Sequence, residues 1–376
     1  MNPNLDRSVL EVNLAIKGPA RLQPQTMADD QLILPIIDSH IHLYPESETD
    51  SLAWYDAEHP LAGQHSLDEY RAAAKSAPSL LGFVAIEADR KHDLDAGARD
   101  GSGWKLPLDE VRWLKRVALG RPKEGEGHAA DDAKLCLAII PWAPLPSGPA
   151  VMARYLDAVK EAAGDSWPKI KGFRYLLQDK PHGTMLTRDF VDSLKLLGKK
   201  GFVFDVGIDH HSRGKKQLDE VVEMVGRAHE GVPEDEKVTF ILNHLCKPDL
   251  TIYNVTSDPS FHAWRTAMYT LSKASHTYMK LSGAFAEMPD SLRTQPAAHI
   301  FQATLAWLGI ILATFGPSRI MFGSDWPVCG AHALGDGEEA WPKWKEVVDK
   351  MCWMATLGDE ERAMIFGGTA KKAYRL

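Results

Sequence analysis

The feature that most constrains this chain is an alternation. Short β-branched runs ending in polar residues are separated by amphipathic stretches with helical spacing. The runs are QLILPIIDSH (31–40), LGFVAIEAD (81–89), KLCLAIIPW (134–142), KIKGFRYL (169–176), GFVFDVGID (201–209), KVTFILNHL (237–245), HTYMKLSG (276–283) and SRIMFGSDWP (318–327). Apolar runs of this length suit parallel strands buried on both faces, with the polar tails at their C-terminal ends. Between them lie LDEVRWLKRVAL (108–119), VMARYLDAVKEAAG (151–164), LDEVVEMVGRAHE (218–230), FHAWRTAMYTLSKA (261–274) and HIFQATLAWLGIILATF (299–315). Such alternation calls for an α/β fold with a parallel sheet, and eight units close most simply into a (β/α)₈ TIM barrel. An open doubly wound sheet is the alternative, but no G-x-G-x-x-G follows the first run to support a dinucleotide site.

At 376 residues, the chain has room for one large barrel with extensions. Residues 1–31 read as an N-terminal extension and 32–376 as a single catalytic barrel. Within it, 97–132 carries two polar Gly-rich loops, GARDGSGWKLP and RPKEGEGHAADD, around a helix. This reads as an insertion over the barrel mouth, acting as a lid.

Charge and cysteine usage exclude other classes. With 43 Lys+Arg against 51 Asp+Glu the net charge is −8, which gives no field for gripping a phosphate backbone. No stretch approaches the roughly 18 uninterrupted apolar residues of a membrane span. The cysteines, Cys136, Cys246, Cys329 and Cys352, form no C-x-x-C pair and suggest neither a disulfide framework nor a thiolate zinc site. With no secretory pattern at the N-terminus, the expectation is a cytoplasmic enzyme that binds neither nucleic acid nor membrane. A homo-oligomer is compatible with the sequence.

In such a barrel the chemistry sits at the C-terminal ends of the strands. The first run ends in His40 and His42, whose i, i+2 spacing puts both imidazoles on one side of an extended chain. Two neutral imidazoles there can bind a divalent cation, or polarise a carbonyl and shuttle a proton; satisfied loop histidines are the plainer reading. The sixth run ends in Asn243 and His244, the eighth in Asp325 and Trp326. A carboxylate after RIMF must be paired, metal-bound or solvated. A helix N-cap would explain Asp325 too, but Pro327 separates it from the next helical pattern. Arg174, set in an apolar run, needs an anion, structural or substrate-borne. Glu87 and Lys280 stand at other strand ends, where a salt bridge between neighbouring strands would also account for them.

Taken together, DSHIHLY, KGFRYLLQ, NHLCKP, YMKLSGAF and RIMFGSDWPVC, in this order, resemble the amidohydrolase-related (amidohydrolase 2) family. The branch they resemble is that of the sugar lactonases, with L-fuconolactonase and fungal L-rhamnono-γ-lactonase. The resemblance runs from about residue 36 to Leu376. It implies an amidohydrolase-like barrel that opens a lactone, an aldonolactone or a similar small ester. Carried over by position, His40 and His42 match the first-strand histidine pair, His244 the sixth-strand histidine, Asp325 the eighth-strand aspartate, and Arg174 an arginine facing the substrate. Two departures stand out. The fourth and fifth strands offer Arg174 and Asp205 where a binuclear centre would need a Lys or His. Asn243 replaces the aspartate that many relatives carry before the histidine.

The implied mechanism has Asp325 as general base on a water, with His244, His42 and His40 as its catalytic partners. One divalent cation, zinc first among candidates, would be held by His40 and His42 with Glu87 or Asp325; without it, the same imidazoles and His244 must supply the polarisation. No organic cofactor is expected. Arg174 and Lys280 would orient the hydroxyls or nascent carboxylate of a small-molecule lactone substrate. Trp326 and Trp142 offer apolar faces for a sugar ring, or simply pack the mouth. Two other classes compete. One is a metal-dependent non-oxidative decarboxylase of the same superfamily acting on a small aromatic acid, recognised by CO₂ release. The other is a non-catalytic sugar-acid binder, which would not need His40, His42, His244 and Asp325 on one face.

Overall fold

The computed structural model describes residues 34–331 and 339–376, so the expected 1–31 extension lies outside the described residues. Eight strands follow in order: β1 (Ile36–Ile41), β2 (Leu80–Ile86), β3 (Cys136–Ile140), β4 (Gly172–Leu176), β5 (Val203–Gly207), β6 (Thr239–Leu242), β7 (Thr277–Leu281) and β8 (Ile320–Phe322). Each coincides with one of the eight apolar runs, β1 ending one residue past its run and β2 starting one residue before its run. Each is followed by a main helix: α1 (Leu67–Ala73), α2 (Lys105–Leu119), α3 (Pro149–Ala163), α4 (Arg188–Lys199), α5 (His210–His229), α6 (Pro259–Ser272), α7 (Ala297–Phe315) and α8 (Ala340–Met354).

All strand pairings are parallel and sequential, in two arcs, β1–β2–β3 and β4 through β8. Isolated parallel bridges join the arcs: Ile139 with Ile170 and Trp142 with Arg174 on one side, Ile41 with Trp326 on the other. On that second seam Asp325 N donates to His40 O at 2.9 Å and His42 N to Trp326 O at 2.8 Å. The fold is therefore the expected (β/α)₈ barrel, and its closure sets the end of β8 beside the end of β1.

Period-two alternation along each strand sorts its side chains. On β5, Val203 joins the core inside the barrel with Ile37, Val84, Ile140, Ile241 and Met321, while Phe204 and Val206 join the layer beneath the helices. The C-terminal helix Thr369–Tyr374 adds Ala370, Ala373 and Tyr374 to the inner core. Helix starts are fixed locally: Thr187 accepts from Phe190 N ahead of α4, and Asp258 accepts from Ser260 N and Phe261 N ahead of Pro259 in α6. By length and composition α7 could cross a membrane. Its Ile300, Thr304, Trp307, Leu308, Ile311 and Phe315 are nevertheless buried, at the i, i+4 spacing of a helix laid on a sheet.

The 97–132 segment departs from the lid expectation. It contains α2, the ordinary crossover helix between β2 and β3, packed inward through Val111, Trp113, Leu114 and Val117. Its second loop braces the start of α1: Ser66 Oγ donates to Glu126 O at 2.6 Å and Asp68 N to Gly127 O at 3.0 Å. Gly-rich polarity marks a surface segment, but does not say which surface.

Candidate active site

A cavity of about 290 Å³ opens at the C-terminal end of the barrel. Its walls come from the segments after β1 (His42, Tyr44, Trp54, His59, Leu61), β2 (Ala88, Asp89), β4 (Arg174 itself, then Gln178 and Asp179), β6 (His244, Lys247) and β8 (Asp325, Pro327, Val328). None of its lining residues comes from 97–132. The long β1–α1 connection, containing Trp54 and His59, contributes to the wall instead. The size is at the small end of ligand pockets, roughly 300–1,000 Å³, and fits a small molecule.

The four expected catalytic residues converge at this cavity, His42, His244 and Asp325 lining the floor and the fully buried His40 lying behind them. Asp325 Oδ1 lies 3.6 Å from His40 Nε2, 3.6 Å from His42 Nε2 and 3.7 Å from His244 Nε2. The Nε2 atoms of His40 and His42 are 3.2 Å apart. Each group is fixed from behind. His42 Nδ1 faces the carbonyls of Ile86 (3.1 Å) and Glu87 (2.9 Å), so it carries the proton and turns the Nε2 lone pair toward Asp325. His244 Nδ1 meets Ser282 Oγ at 2.9 Å, and His40 Nδ1 meets Lys280 Nζ at 3.1 Å. Asp38, from the same DSHIH stretch, points away into the helix layer. There it accepts from Ser324 N, Trp341 Nε1 and Tyr70 OH at 2.8–3.0 Å, pinning the β8 end that carries Asp325.

The backbone here is held in unusual conformations. Asp325 has φ 62°, and the consecutive residues His244, Leu245, Cys246 and Lys247 have φ 54°, 55°, 61° and 46°. Left-handed conformations in non-glycine residues cost energy and gather where a side chain must be aimed. This run turns both His244 and Lys247 to the cavity. Gly283 makes it possible: with φ 63°, any Cβ there would press into the His244 ring at Nδ1.

Burial lowers the His244 imidazole to about 3 and takes His40 well below its usual value, Lys280 adding to the effect on His40. Both are neutral at neutral pH. Burial pushes Asp325 upward, but His244, His42 and Lys247 outweigh it, leaving the carboxyl below its usual value and ionised. An ionised carboxylate faced by neutral imidazoles is a competent proton acceptor.

Other expected residues divide. Arg174 lines the cavity, its Nε on Glu87 Oε1 at 2.5 Å and its Nη2 on Glu87 O at 3.0 Å. Glu87 is consequently no member of the donor cluster: one oxygen serves Arg174 and the other accepts from Asp89 N at 2.6 Å. Lys280 does not reach the cavity; fully buried, it donates to Asp205 and sits behind His40. Trp142 packs on His92, Tyr155 and Tyr175, and Trp326 on His65 and Tyr70. Both tryptophans are buried outside the lining, so packing is their observed role. Trp54, Lys247 and Asp89 line the site without having been singled out in the sequence. Asn243 is fully buried with neither amide atom partnered, a place where a carboxylate would be an unpaired charge.

His40, His42 and Asp325 also offer donor atoms within 4.8 Å of one another, and among the described residues they are the one such cluster. Separations of 3.2–3.6 Å match those of ligands about 2.0–2.2 Å from a shared cation. The backbone-anchored His42 has the second partner expected of a ligating imidazole. His40 would ligate through Nε2 with its proton on Nδ1, which requires Lys280 in its amine form; burial lowers Lys280 to about 8, with Asp205 opposing. The residues fit a divalent cation on those terms, and at neutral pH its binding would have to release the Lys280 proton.

Comparison with known proteins agrees with this geometry. The amidohydrolase family pattern matches residues 37–376. The chain belongs to the amidohydrolase family. Among curated relatives, an L-rhamnono-gamma-lactonase of Scheffersomyces stipitis is 35% identical over 351 residues, covering 91% of this chain and 98% of the relative. An L-fucono-1,5-lactonase of Burkholderia multivorans is 31% identical over 347 residues, covering 90% and 96%. Among solved structures, an amidohydrolase of B. multivorans with bound HEPES superposes with a TM-score of 0.64 at 25% identity, over 91% of this chain and 99% of that one. A B. multivorans amidohydrolase structure with bound zinc gives 0.62 at 24% identity over the same shares, a likeness of fold.

Proposed function

We propose that this amidohydrolase opens the lactone ring of a small polyhydroxylated acid, an aldonolactone, by attack of an activated water. The observation that carries the reading is Asp325. It is an ionised carboxylate aimed by a left-handed backbone at the floor of a small cavity, with three imidazole Nε2 atoms within 3.7 Å. Asp325 takes a proton from water as the water oxygen attacks the carbonyl carbon. Arg174, fixed by Glu87, and Lys247 are the cationic groups lining the cavity, and stabilise the oxyanion that develops. As the ring C–O bond breaks, Asp325 returns the proton to the leaving alkoxide, giving an open-chain hydroxy acid. The Asp38 bonds to Ser324 N, Trp341 Nε1 and Tyr70 OH hold the β8 end that carries this carboxylate in place.

A divalent cation, zinc first, would be held by His40, His42 and Asp325; when bound it would polarise the carbonyl and lower the pKa of water. The curated relatives named as lactonases support the reaction class, and the four buried free thiols suit a cytoplasmic, reducing setting. The test is a panel of aldonolactones followed by acid release at fixed pH, before and after chelation, with metal content measured on the same samples. Opening of at least one aldonolactone is expected. No acid release across the panel, in metal-loaded and stripped protein alike, overturns the reading.

A further inference from the structure

Three carboxylates line the cavity. Asp325 belongs to the imidazole cluster and Asp179 is exposed, which leaves Asp89, half-buried just past β2. Asp89 has φ 57°. An aspartate usually tolerates that conformation because its side chain bonds to nearby backbone. Here no hydrogen bond or ion pair reaches the Asp89 carboxylate among the described residues, so the usual compensation is missing.

The conformation is imposed from outside instead. Asp89 N donates to Glu87 Oε2 at 2.6 Å, and Ala53 N donates to Asp89 O at 2.8 Å. On the preceding residue, Ala88 N donates to Glu110 Oε1 at 2.9 Å and Trp54 Nε1 donates to Ala88 O at 3.0 Å. The last bond ties the Trp54 ring to the same turn, and both side chains line the cavity. An unpartnered carboxylate held against its local preference, next to an anchored aromatic ring, is the pairing that recognises a polyol. The ring covers C–H surface and the carboxylate accepts from adjacent hydroxyls.

We propose that Asp89 is a specificity residue: its carboxylate accepts hydrogen bonds from a vicinal hydroxyl pair of the lactone while Trp54 covers the sugar's apolar face. This rests on the lactonase reading and extends it to which lactones are chosen. Burial, with Glu87 adding to it, raises the Asp89 carboxyl to about 6, so it is ionised at neutral pH.

The experiment compares the wild type with Asp89→Asn and Asp89→Gly. Both replacements accept a positive φ, so the turn is preserved while the acceptor pair is altered or removed. For each protein, kcat/KM is measured on the preferred aldono-γ-lactone and on unsubstituted γ-butyrolactone, with a thermal melt alongside. Where γ-butyrolactone turns over too slowly, its inhibition constant serves. The preference for the hydroxylated lactone is expected to fall at least tenfold in both variants, mainly through KM, with melting unchanged. Equal losses on the two lactones, or an unaltered preference, overturn the assignment. A wild-type chain that opens neither lactone removes the lactonase reading itself, a result distinct from either.

Discussion

Two sets of buried charge lie inside this barrel, and they are built to different standards. Asp205, Lys280 and Tyr374 form a closed set: the Lys280 ammonium donates to Asp205, and Tyr374 OH donates to the other Asp205 oxygen at 2.9 Å. Nothing in it faces the cavity. Asp325 with His40, His42 and His244 is the open set, its nearest imidazole nitrogens at 3.6–3.7 Å, beyond good hydrogen-bond length. Both sets are buried around one aspartate; completeness differs. A satisfied buried pair needs no ligand, whereas a convergent, unfinished one is where water, substrate or a cation completes the coordination. Lys280 touches both sets through His40 Nδ1, so the structural pair also orients the functional one.

The largest expected effect breaks the open set. Asp325→Asn keeps size and position but cannot accept a proton, so kcat should fall by roughly 10²–10⁴ with little change in the thermal melt. An active, normally stable variant would remove Asp325 as the base and move suspicion to His244.

Breaking the closed set should give the opposite pattern. Lys280→Met leaves the Asp205 carboxylate buried opposite an apolar chain, and removing one partner of such a pair costs about 3–5 kcal/mol. Denaturant titration should show that loss, and adding Asp205→Asn to the same protein should recover part of it. If Lys280→Met were as stable as the parent, the closed set would not be structural.

How far each set could be read in the sequence follows from this contrast. His40 and His42 were legible because a period of two puts both on one face, and Asp325 because a carboxylate after an apolar run demands an explanation. The eight strands were legible for the same reason of patterning. The pairings Glu87–Arg174 and Asp205–Lys280 were not, since they depend on barrel register: Arg174 stands opposite Asp205 on the neighbouring strand yet bonds to Glu87. Trp142 and Trp326 show that an aromatic near a strand end carries no direction, and both turned out to be wall packing. Asp89 and Lys247 owe their place to positive φ, which ordinary residue types do not announce. The β1–α1 connection has a signal of its own in the sequence: the long stretch between the first strand and its helix, with Trp54 and His59 in it.

A smaller effect should come from Gly283→Ala. The new methyl meets the His244 ring and the backbone is held at φ 63°, so His244 must shift. A side chain displaced at a reacting centre costs on the order of a hundredfold, with a stability loss of about 1–3 kcal/mol from overpacking. Activity falling far more than stability would place His244 in the open set. Equal, small losses would make it a bystander.

The smallest effect sharpens the comparison through pH. His244 has a folded-state pKa of about 3 against an ordinary 6.5, so between those values the unfolded chain binds the extra proton. Its contribution to stability is fully present above about 6.5 and is lost as pH falls toward 3. Lys280, lowered from 10.5 to about 8, works at the other end: the unfolded chain binds the extra proton between pH 8 and 10.5, so stability rises with pH there. Urea midpoints should therefore fall less steeply on acidification below pH 6.5 in His244→Gln than in the parent. Lys280→Met should lose the upward slope above pH 8 and keep the acid limb. Each variant is thus its own control for the other window. The difference in slope is bounded by about 1.4 kcal/mol per pH unit for one proton, and water reaching His244 from the cavity will reduce it. Superimposable acid limbs in His244→Gln and the parent would mean that this imidazole has the same pKa folded and unfolded, so that it becomes a cation beside Asp325 as soon as pH falls below about 6.5 rather than near 3.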